Sequence, residues 1–86
     1  MRLLWEDRAW DDYLCWQGED KKTLKKINAL IKDMRKNPFI GLGKPEPLKG
    51  NFSGLWSRRI DETNRIVYCE RDGIIYIISC KGHYEE

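Results

Sequence analysis

The chain has 86 residues, of which 41% are hydrophobic and 12% aromatic, enough for one hydrophobic core but not for two. We therefore expect a single domain over residues 1–86. No apolar stretch approaches the roughly 20 residues that a membrane-spanning helix needs, and no signal-peptide pattern follows Met1-Arg2. The composition thus excludes a multidomain or helical membrane protein, and we expect a cytoplasmic one.

The net charge of +2 is distributed unevenly. Residues 1–19 contain two cations and five acids, whereas residues 20–36 contain seven cations and two acids. A basic segment of this kind occurs in proteins that bind polyanions, but it is also common on solvated helix faces. Charge alone therefore leaves nucleic-acid binding as one of two open interpretations.

The three cysteines are Cys15, Cys69 and Cys80, an odd number at wide spacing, and the chain has one histidine. This pattern supports neither a disulfide framework nor a structural zinc site. Cys69 and Cys80 lie in strand-like runs, and we expect them to be reduced core residues. We expect no metal and no cofactor.

The first half of the chain predicts a short strand at residues 3–5, followed by two helices. Asp7 is expected to cap the first helix and Gly18 to end it. Asp20 is expected to cap the second helix, which ends at Asn37 because the residue before a proline disfavours the α region. The second helix carries an apolar stripe of Leu24, Ile27, Ile31 and Met34, with Leu30 beside it.

The second half predicts a loop and then a small sheet. Residues 39–54 contain four glycines and two prolines and are expected to be mostly loop. Three strands follow, over residues 56–60, 65–70 and the apolar run 74–78, with turns at 61–64 and 72–73. Together these elements predict an α+β fold, in which the two-helix hairpin packs on one face of a largely antiparallel sheet.

The groups of an acid–base site lie outside the helices. Glu46 is flanked by Pro45 and Pro47, which stiffen its loop, and the only histidine, His83, follows the last strand. A histidine with an ordinary pKa of about 6.5 can donate a proton near neutral pH, and a fixed carboxylate can accept one. The alternatives are a solvated loop acid for Glu46 and an exposed polar residue for His83.

Arg59 and Arg65 occupy neighbouring strands of the predicted sheet. If their side chains share a face, they form a fork suited to phosphate oxygens; otherwise they pair with Glu62 or Glu70. Tyr84 could stack on a base, assist proton transfer, or simply cap the core.

These groups fit metal-independent cleavage of RNA. Glu46 would take the proton from a 2′-hydroxyl, whose oxygen would attack the adjacent phosphorus, while His83 would protonate the departing 5′-oxygen. Arg65, assisted by Arg59 and Lys49, would stabilise the charge on the phosphoryl oxygens. The need for a 2′-hydroxyl would explain a preference for RNA over DNA.

Several motifs are distributed along nearly the whole chain: Trp10-Asp11-Asp12-Tyr13, Lys26-Ile27-Asn28, Ile31-Lys32-Asp33, Asn37-Pro38-Phe39, Gly43-Lys44-Pro45-Glu46-Pro47-Leu48-Lys49, Trp56-Ser57-Arg58-Arg59-Ile60, Arg65-Ile66-Val67-Tyr68 and His83-Tyr84. Together they closely resemble the YoeB/Txe toxins of the RelE superfamily. The combination of Lys-Pro-Glu-Pro-Leu with Trp-Ser-Arg-Arg-Ile is specific to this resemblance, because the two motifs together are hard to produce otherwise.

The resemblance implies a bacterial type II toxin that cleaves mRNA in the ribosomal A site. It also implies a YefM-like antitoxin, binding of operator DNA through the toxin–antitoxin complex, and a homodimer. The family's general base falls on Glu46, its general acid on His83 and its phosphate-stabilising arginine on Arg65. The supporting and RNA-binding positions fall on Lys44, Lys49, Arg59 and Tyr84.

The chain departs from the family in one place, because Glu85-Glu86 follow the His-Tyr pair at which the family commonly stops. If these carboxylates lie beside the phosphate site, they would repel substrate and raise the pKa of His83. If they point away or are disordered they would not, so their effect on the rate is left open. The alternative function is an inactive toxin homologue that binds an antitoxin and helps to repress the operon. The presence of Glu46, Arg65 and His83 together favours the ribonuclease.

Overall fold

The computed structural model describes residues 1–82, so His83, Tyr84 and the Glu85-Glu86 tail lie outside the described residues. The elements are strands β1 (Arg2–Trp5), β2 (Glu46–Pro47), β3 (Trp56–Arg59), β4 (Arg65–Arg71) and β5 (Ile74–Ser79), and helices α1 (Asp7–Glu19) and α2 (Lys21–Lys36). A 3₁₀ turn spans Gly50–Phe52. Across residues 1–82 we find no helix that is both long enough and apolar enough to cross a membrane.

The five strands form one sheet in the order β1-β5-β4-β3-β2. β1 runs parallel to β5, whereas the other three strand pairings within residues 1–82 are antiparallel. The predicted α+β fold with a largely antiparallel sheet is therefore confirmed. The parallel pair was not predicted; it requires a long crossover connection, whose first part is formed by the two helices.

Asp20 separates the two helices. Its carboxylate accepts hydrogen bonds from the backbone N–H groups of Lys22 (3.0 Å) and Thr23 (3.2 Å), and its own N–H donates to the Trp16 carbonyl (3.0 Å). The predicted N-cap of α2 is thus confirmed, and the same residue ends α1.

The predicted bounds of α1 were wrong at both ends. Glu6, not Asp7, occupies the N-cap position, and its side chain makes no capping hydrogen bond. At the other end the helix continues through Gly18 to Glu19, because the extended backbone of Asp20 (φ −155°) ends it instead. The glycine was mistaken for a stop signal because glycine often follows a helix in the left-handed conformation.

Both helices pack on the same face of the sheet. The predicted stripe of α2 is buried there, except that Leu24 is only half-buried. Burial raises the pKa of the Cys80 thiol to about 12, with the Asp12 charge adding to the effect, and both Cys69 and Cys80 are buried and free. The core contains Ala9, Trp16, Ile27, Leu30, Ile31, Met34, Ile60, Ile66, Tyr68, Ile75, Ile77 and Cys80.

A fully buried arginine, Arg58 of β3, fixes the loop that follows α2. Its side chain points toward the helices, and its Nη1 lies 2.7 Å from Asp33 Oδ2 on α2. Its remaining bonds go to the Tyr68 hydroxyl (3.2 Å) and to the carbonyls of Asn37 (2.7 Å), Ile40 (3.0 Å) and Leu42 (3.0 Å). Because three of these acceptors are backbone carbonyls, the guanidinium ties residues 37–42 to the sheet.

Gly43 attaches the end of this loop to β3. Its carbonyl accepts a hydrogen bond from the N–H of Arg59 (2.6 Å), and its φ is +78°. A Cβ atom at this position would lie 2.8 Å from Leu30 Cδ2 and 3.0 Å from the Arg59 carbonyl oxygen. Only glycine fits this approach, so the chain is fixed three residues before Glu46.

The first prediction concerns this arginine. Arg58→Lys should lower the free energy of unfolding by about 2–4 kcal/mol, because lysine cannot reproduce the planar set of bonds and leaves carbonyls unpaired. Urea denaturation would measure the change. The exposed neighbour provides the control: Arg59→Lys should change stability by less than about 0.5 kcal/mol. Equal stability of both variants would contradict the role assigned to Arg58.

The second prediction concerns pH. The hydrogen bond from Arg58, and then that from the Leu42 N–H, lower the pKa of Asp33 in the folded protein. A depressed folded-state pKa gives stability that is present above the unfolded value of about 3.9 and is lost as the pH falls through the folded one. Asp33→Asn should therefore be less stable than the wild type at pH 7, and the difference should shrink below about pH 4.

Urea midpoints measured from pH 7 to pH 2.5 would test this expectation. Asp11→Asn, at an exposed position of α1, is the matched control and should leave the stability at pH 7 nearly unchanged. A constant difference between wild type and Asp33→Asn across the whole pH range would show that Asp33 is not held by Arg58 in solution.

Candidate active site

The structure brings Glu46 and Arg65 together on the sheet face opposite the helices. Glu46 is the cross-strand partner of Ser57, and Arg65 that of Arg59. Arg65 Nη1 lies 3.3 Å from Glu46 Oε1 and 3.5 Å from Ser57 Oγ. The Glu46 side chain is 52% exposed and the Arg65 side chain 21%, so a ligand on this face can reach both.

The strand register determines this arrangement. Side chains alternate along β3, so Ser57 and Arg59 face the site while Arg58 faces the helices. Arg59 and Arg65 are directly opposite each other on neighbouring strands, so their side chains share one face of the sheet. A shared face is what a guanidinium fork requires. Arg65 contacts Glu46 rather than the alternatives Glu62 and Glu70.

Ser57 was not predicted to be a site residue. In the structure it is completely buried, and its hydroxyl accepts a long hydrogen bond from Arg65. This contact holds the Arg65 guanidinium from the side of the sheet. The alternating pattern of residues 56–60 places Ser57 on the face of Arg59, which is the signal that could have linked it to the site.

The two lysines of the Glu46 loop are exposed. Lys44 has a left-handed backbone (φ +52°) directly after Gly43, and Lys49 precedes the 3₁₀ turn. Between them the loop is anchored by Leu48, which is buried and whose N–H donates to the Leu55 carbonyl (2.9 Å). Within residues 1–82 neither lysine takes part in an ion pair, so both add positive charge close to Glu46 in the chain.

The chain after β5 returns to the strand of Arg65. The N–H of Arg65 donates to the Gly82 carbonyl (2.9 Å), and the N–H of Gly82 donates to Asn64 Oδ1 (2.7 Å). Gly82 directly precedes His83 in the sequence. The predicted site residues Glu46, Arg59 and Arg65 thus lie together, while His83 and Tyr84 fall outside the described residues.

The side chains of the site are suited to proton transfer and to anion binding. The ionised carboxylate can accept a proton, and the guanidinium groups can bind phosphoryl oxygens in two-point contacts. Among residues 1–82 no three histidine, cysteine, aspartate or glutamate side chains are grouped so as to hold a metal ion.

Comparison with known proteins gives the family. The family model described as the YoeB-like toxin of the bacterial type II toxin–antitoxin system matches residues 5–84. The chain is 57% identical over 84 residues to toxin YoeB of Escherichia coli strain K12, which covers 98% of this chain and 100% of that protein.

Solved structures agree with the sequence matches. The chain superposes on a YoeB/ParE toxin from Agrobacterium tumefaciens with a TM-score of 0.93 and 48% identity, covering 98% of this chain and 100% of the other. It also superposes on the toxin of a heterotetrameric YoeB–YefM complex (TM-score 0.88) and of a YoeB dimer (TM-score 0.89), both from Staphylococcus aureus, at 45% identity and 98% coverage of each chain. A family match over residues 5–84, with relatives similar over nearly their whole length, places this chain in the YoeB toxin family of bacterial type II toxin–antitoxin systems.

Proposed function

We propose that this chain is a ribosome-dependent endoribonuclease that cleaves mRNA in the ribosomal A site and so arrests translation. The observation that carries the proposal is the contact between Glu46 and Arg65 on an accessible sheet face, with Arg59 beside them. Family membership identifies the chain as a toxin, and the site supplies a chemistry by which it would act.

The proposed reaction needs a base, an acid and an anion site. Glu46 takes the proton of a 2′-hydroxyl, and the 2′-oxygen attacks the adjacent phosphorus. The bond from phosphorus to the 5′-oxygen breaks, and His83 protonates that oxygen as it leaves. The products are a 2′,3′-cyclic phosphate and a 5′-hydroxyl. Arg65 has five donors, so it can keep its contact with Glu46 while binding a phosphoryl oxygen.

The arginine pair supports a polyanionic substrate. Like charges directly opposite each other destabilise a sheet by a few tenths of a kcal/mol or more, and Arg59 and Arg65 occupy such positions. Glu46 offsets only part of this positive charge, because its carboxylate contacts Arg65 and not Arg59. A phosphate between the two guanidinium groups would relieve the repulsion, so the site is better suited to a bound anion than to water.

The basic helix supports a large polyanionic partner. The buried stripe of α2 leaves its lysines on the solvent side, including Lys21, Lys22, Lys25, Lys26 and Lys32. Such a surface accelerates association with nucleic acid and holds it weakly without sequence preference. The ribosome, whose RNA is available on its surface, is the partner that we assign to it.

Protein partners are proposed from the relatives. The Staphylococcus aureus structures contain a YoeB–YefM complex and a YoeB dimer, and we assign a YefM-like antitoxin and a homodimer to this chain, with operator DNA bound through the antitoxin. Exposed apolar side chains support such contacts, because a partner that covers them removes apolar surface from water. They include Leu4, Trp10, Leu14, Phe39, Ile40 and Leu42.

The third prediction tests the reaction. Glu46→Ala, Arg65→Ala and His83→Ala should each restore growth of expressing cells, with cleavage on translated mRNA slowed by about 100-fold or more. Toeprinting would locate the cuts, and the wild-type product should carry a 2′,3′-cyclic phosphate. Chelation of free divalent cations, under conditions that keep ribosomes intact, should leave cleavage unchanged.

Glu62→Ala, at an exposed turn position, is the control and should remain toxic. Full toxicity of all three site variants would contradict the ribonuclease. If instead the wild type fails to cleave but still binds a YefM-like antitoxin, the chain is the inactive co-repressor considered as the alternative.

The fourth prediction separates binding from stability. At low salt Arg59→Ala should be more stable than the wild type by up to about 0.5 kcal/mol, because the repulsion from Arg65 is removed. At 1 M salt, where the screening length is about 3 Å, the difference should vanish. The same variant should bind a single-stranded oligoribonucleotide more weakly, with a salt slope reduced by about 0.7.

Urea denaturation and fluorescence titration at several salt concentrations would measure both effects. Arg8→Ala, on the exposed surface of α1, is the matched control and should leave the salt slope unchanged. A lower stability of Arg59→Ala at low salt would show that the two arginines do not repel each other.

A further inference from the structure

Asn64 connects the β3–β4 turn to the segment that leads to His83. Its Oδ1 accepts the hydrogen bond from the Gly82 N–H at 2.7 Å, and its Nδ2 lies 3.1 Å from both carboxylate oxygens of Asp61. The amide therefore bridges an acid in the turn and the backbone of residue 82.

Asp61 sets the orientation of that amide. Its Oδ1 also accepts from the N–H groups of Thr63 (2.9 Å) and Asn64 (2.7 Å). Burial would raise the pKa of Asp61, but hydrogen bonds from Asn64 and Thr63 outweigh it and lower the pKa. An ionised carboxylate only accepts hydrogen bonds, so Nδ2 must face Asp61 and Oδ1 must face Gly82.

The residues before Gly82 are held from the other side, by α1. The N–H of Cys80 donates to Asp12 Oδ2 (3.0 Å), and its carbonyl accepts from Trp16 Nε1 (2.8 Å). Lys81 Nζ lies 2.8 Å from Glu19 Oε2. Residues 80 and 81 are thus bound to α1, and Gly82 is the first residue after them that is bound to β4, through Arg65.

Gly82 has little to fix it besides its two backbone bonds. Its φ is +80°, and a Cβ atom at this position would meet nothing within 4 Å, so no packing restrains it among the described residues. The bond from the Arg65 N–H fixes its carbonyl, and Asn64 fixes its N–H. The two bonds hold the peptide units on either side of Gly82, so without the second bond the unit before Gly82 could turn relative to the unit after it, because glycine has wide backbone freedom.

We propose that Asn64 is a positioning residue for the general acid. By holding the Gly82 N–H it fixes the backbone of the residue that directly precedes His83 in the sequence. This inference rests on the proposed function, in which His83 donates the proton. A displacement of about 1 Å at a reacting group can slow a reaction about 100-fold, so one hydrogen bond next to the acid can matter to the rate.

The fifth prediction compares Asn64→Ala with Thr63→Ala. Thr63 donates to the same Asp61 carboxylate but does not contact Gly82, which makes it the matched control. In single-turnover cleavage of ribosome-bound mRNA, Asn64→Ala should be slower by about 10–100-fold with little change in binding, and Thr63→Ala should remain near the wild-type rate.

A modified mRNA tests whether the defect lies in proton donation. Replacing the leaving 5′-oxygen by sulfur gives a thiolate, whose conjugate acid has a pKa of about 8.5, so the group departs without a general acid. Asn64→Ala and His83→Ala should both cleave this mRNA at close to the wild-type rate. In the His83→Ala background, Asn64→Ala should add no further loss on the oxygen substrate.

An Asn64→Ala rate equal to the wild type, or an equal slowing on the oxygen and sulfur substrates, would overturn the positioning role. If Asn64→Ala does not fold, Gly82→Ala gives the same readout, because alanine fits the space but disfavours the positive φ. Failure of the proposed function looks different: the wild type would leave both substrates uncut, or His83→Ala would cleave the oxygen substrate at full rate.

Discussion

The ion pair between the fully buried Arg58 and the partly exposed Asp33 is the interaction on which the arrangement of this protein depends. Such a pair adds little net stability because the arginine loses its water, but it can select one conformation over others. Here it joins α2, β3 and the loop between them. Since that loop leads directly to Glu46, an interaction in the core decides where a residue on the opposite face of the sheet lies.

The two faces of the sheet have different roles. The helix-facing side holds the core, and the other side holds the carboxylate and the arginines. One tetrapeptide contributes to both, because Trp56 and Arg58 point inward while Ser57 and Arg59 point toward the site. Two adjacent arginines with the same charge therefore have unrelated roles. Because side chains alternate along the strand, Arg58 stabilises the core side and Arg59 lies in the candidate site.

Much of this could be predicted from local sequence. Asp20, the stripe of α2 and the strands near residues 56, 65 and 74 are encoded by neighbouring residues. The burial of Arg58 could not be predicted, because a cation is expected at the surface unless its partner is known. The contact of Glu46 with Arg65 depends on the register of three strands, which no short segment specifies, and the parallel pairing of β1 with β5 joins opposite ends of the described chain.

That pairing has a consequence for synthesis. A chain is made from its N-terminus and domains fold as units, so β1 is finished long before the strand it pairs with. Until β5 emerges, Ile75 and Ile77 are missing from the core and Gly82 is missing from the strand of Arg65. A nascent chain therefore cannot complete its fold while these residues are still inside the exit tunnel. The topology itself therefore delays completion of the sheet and the core until β5 has left the tunnel.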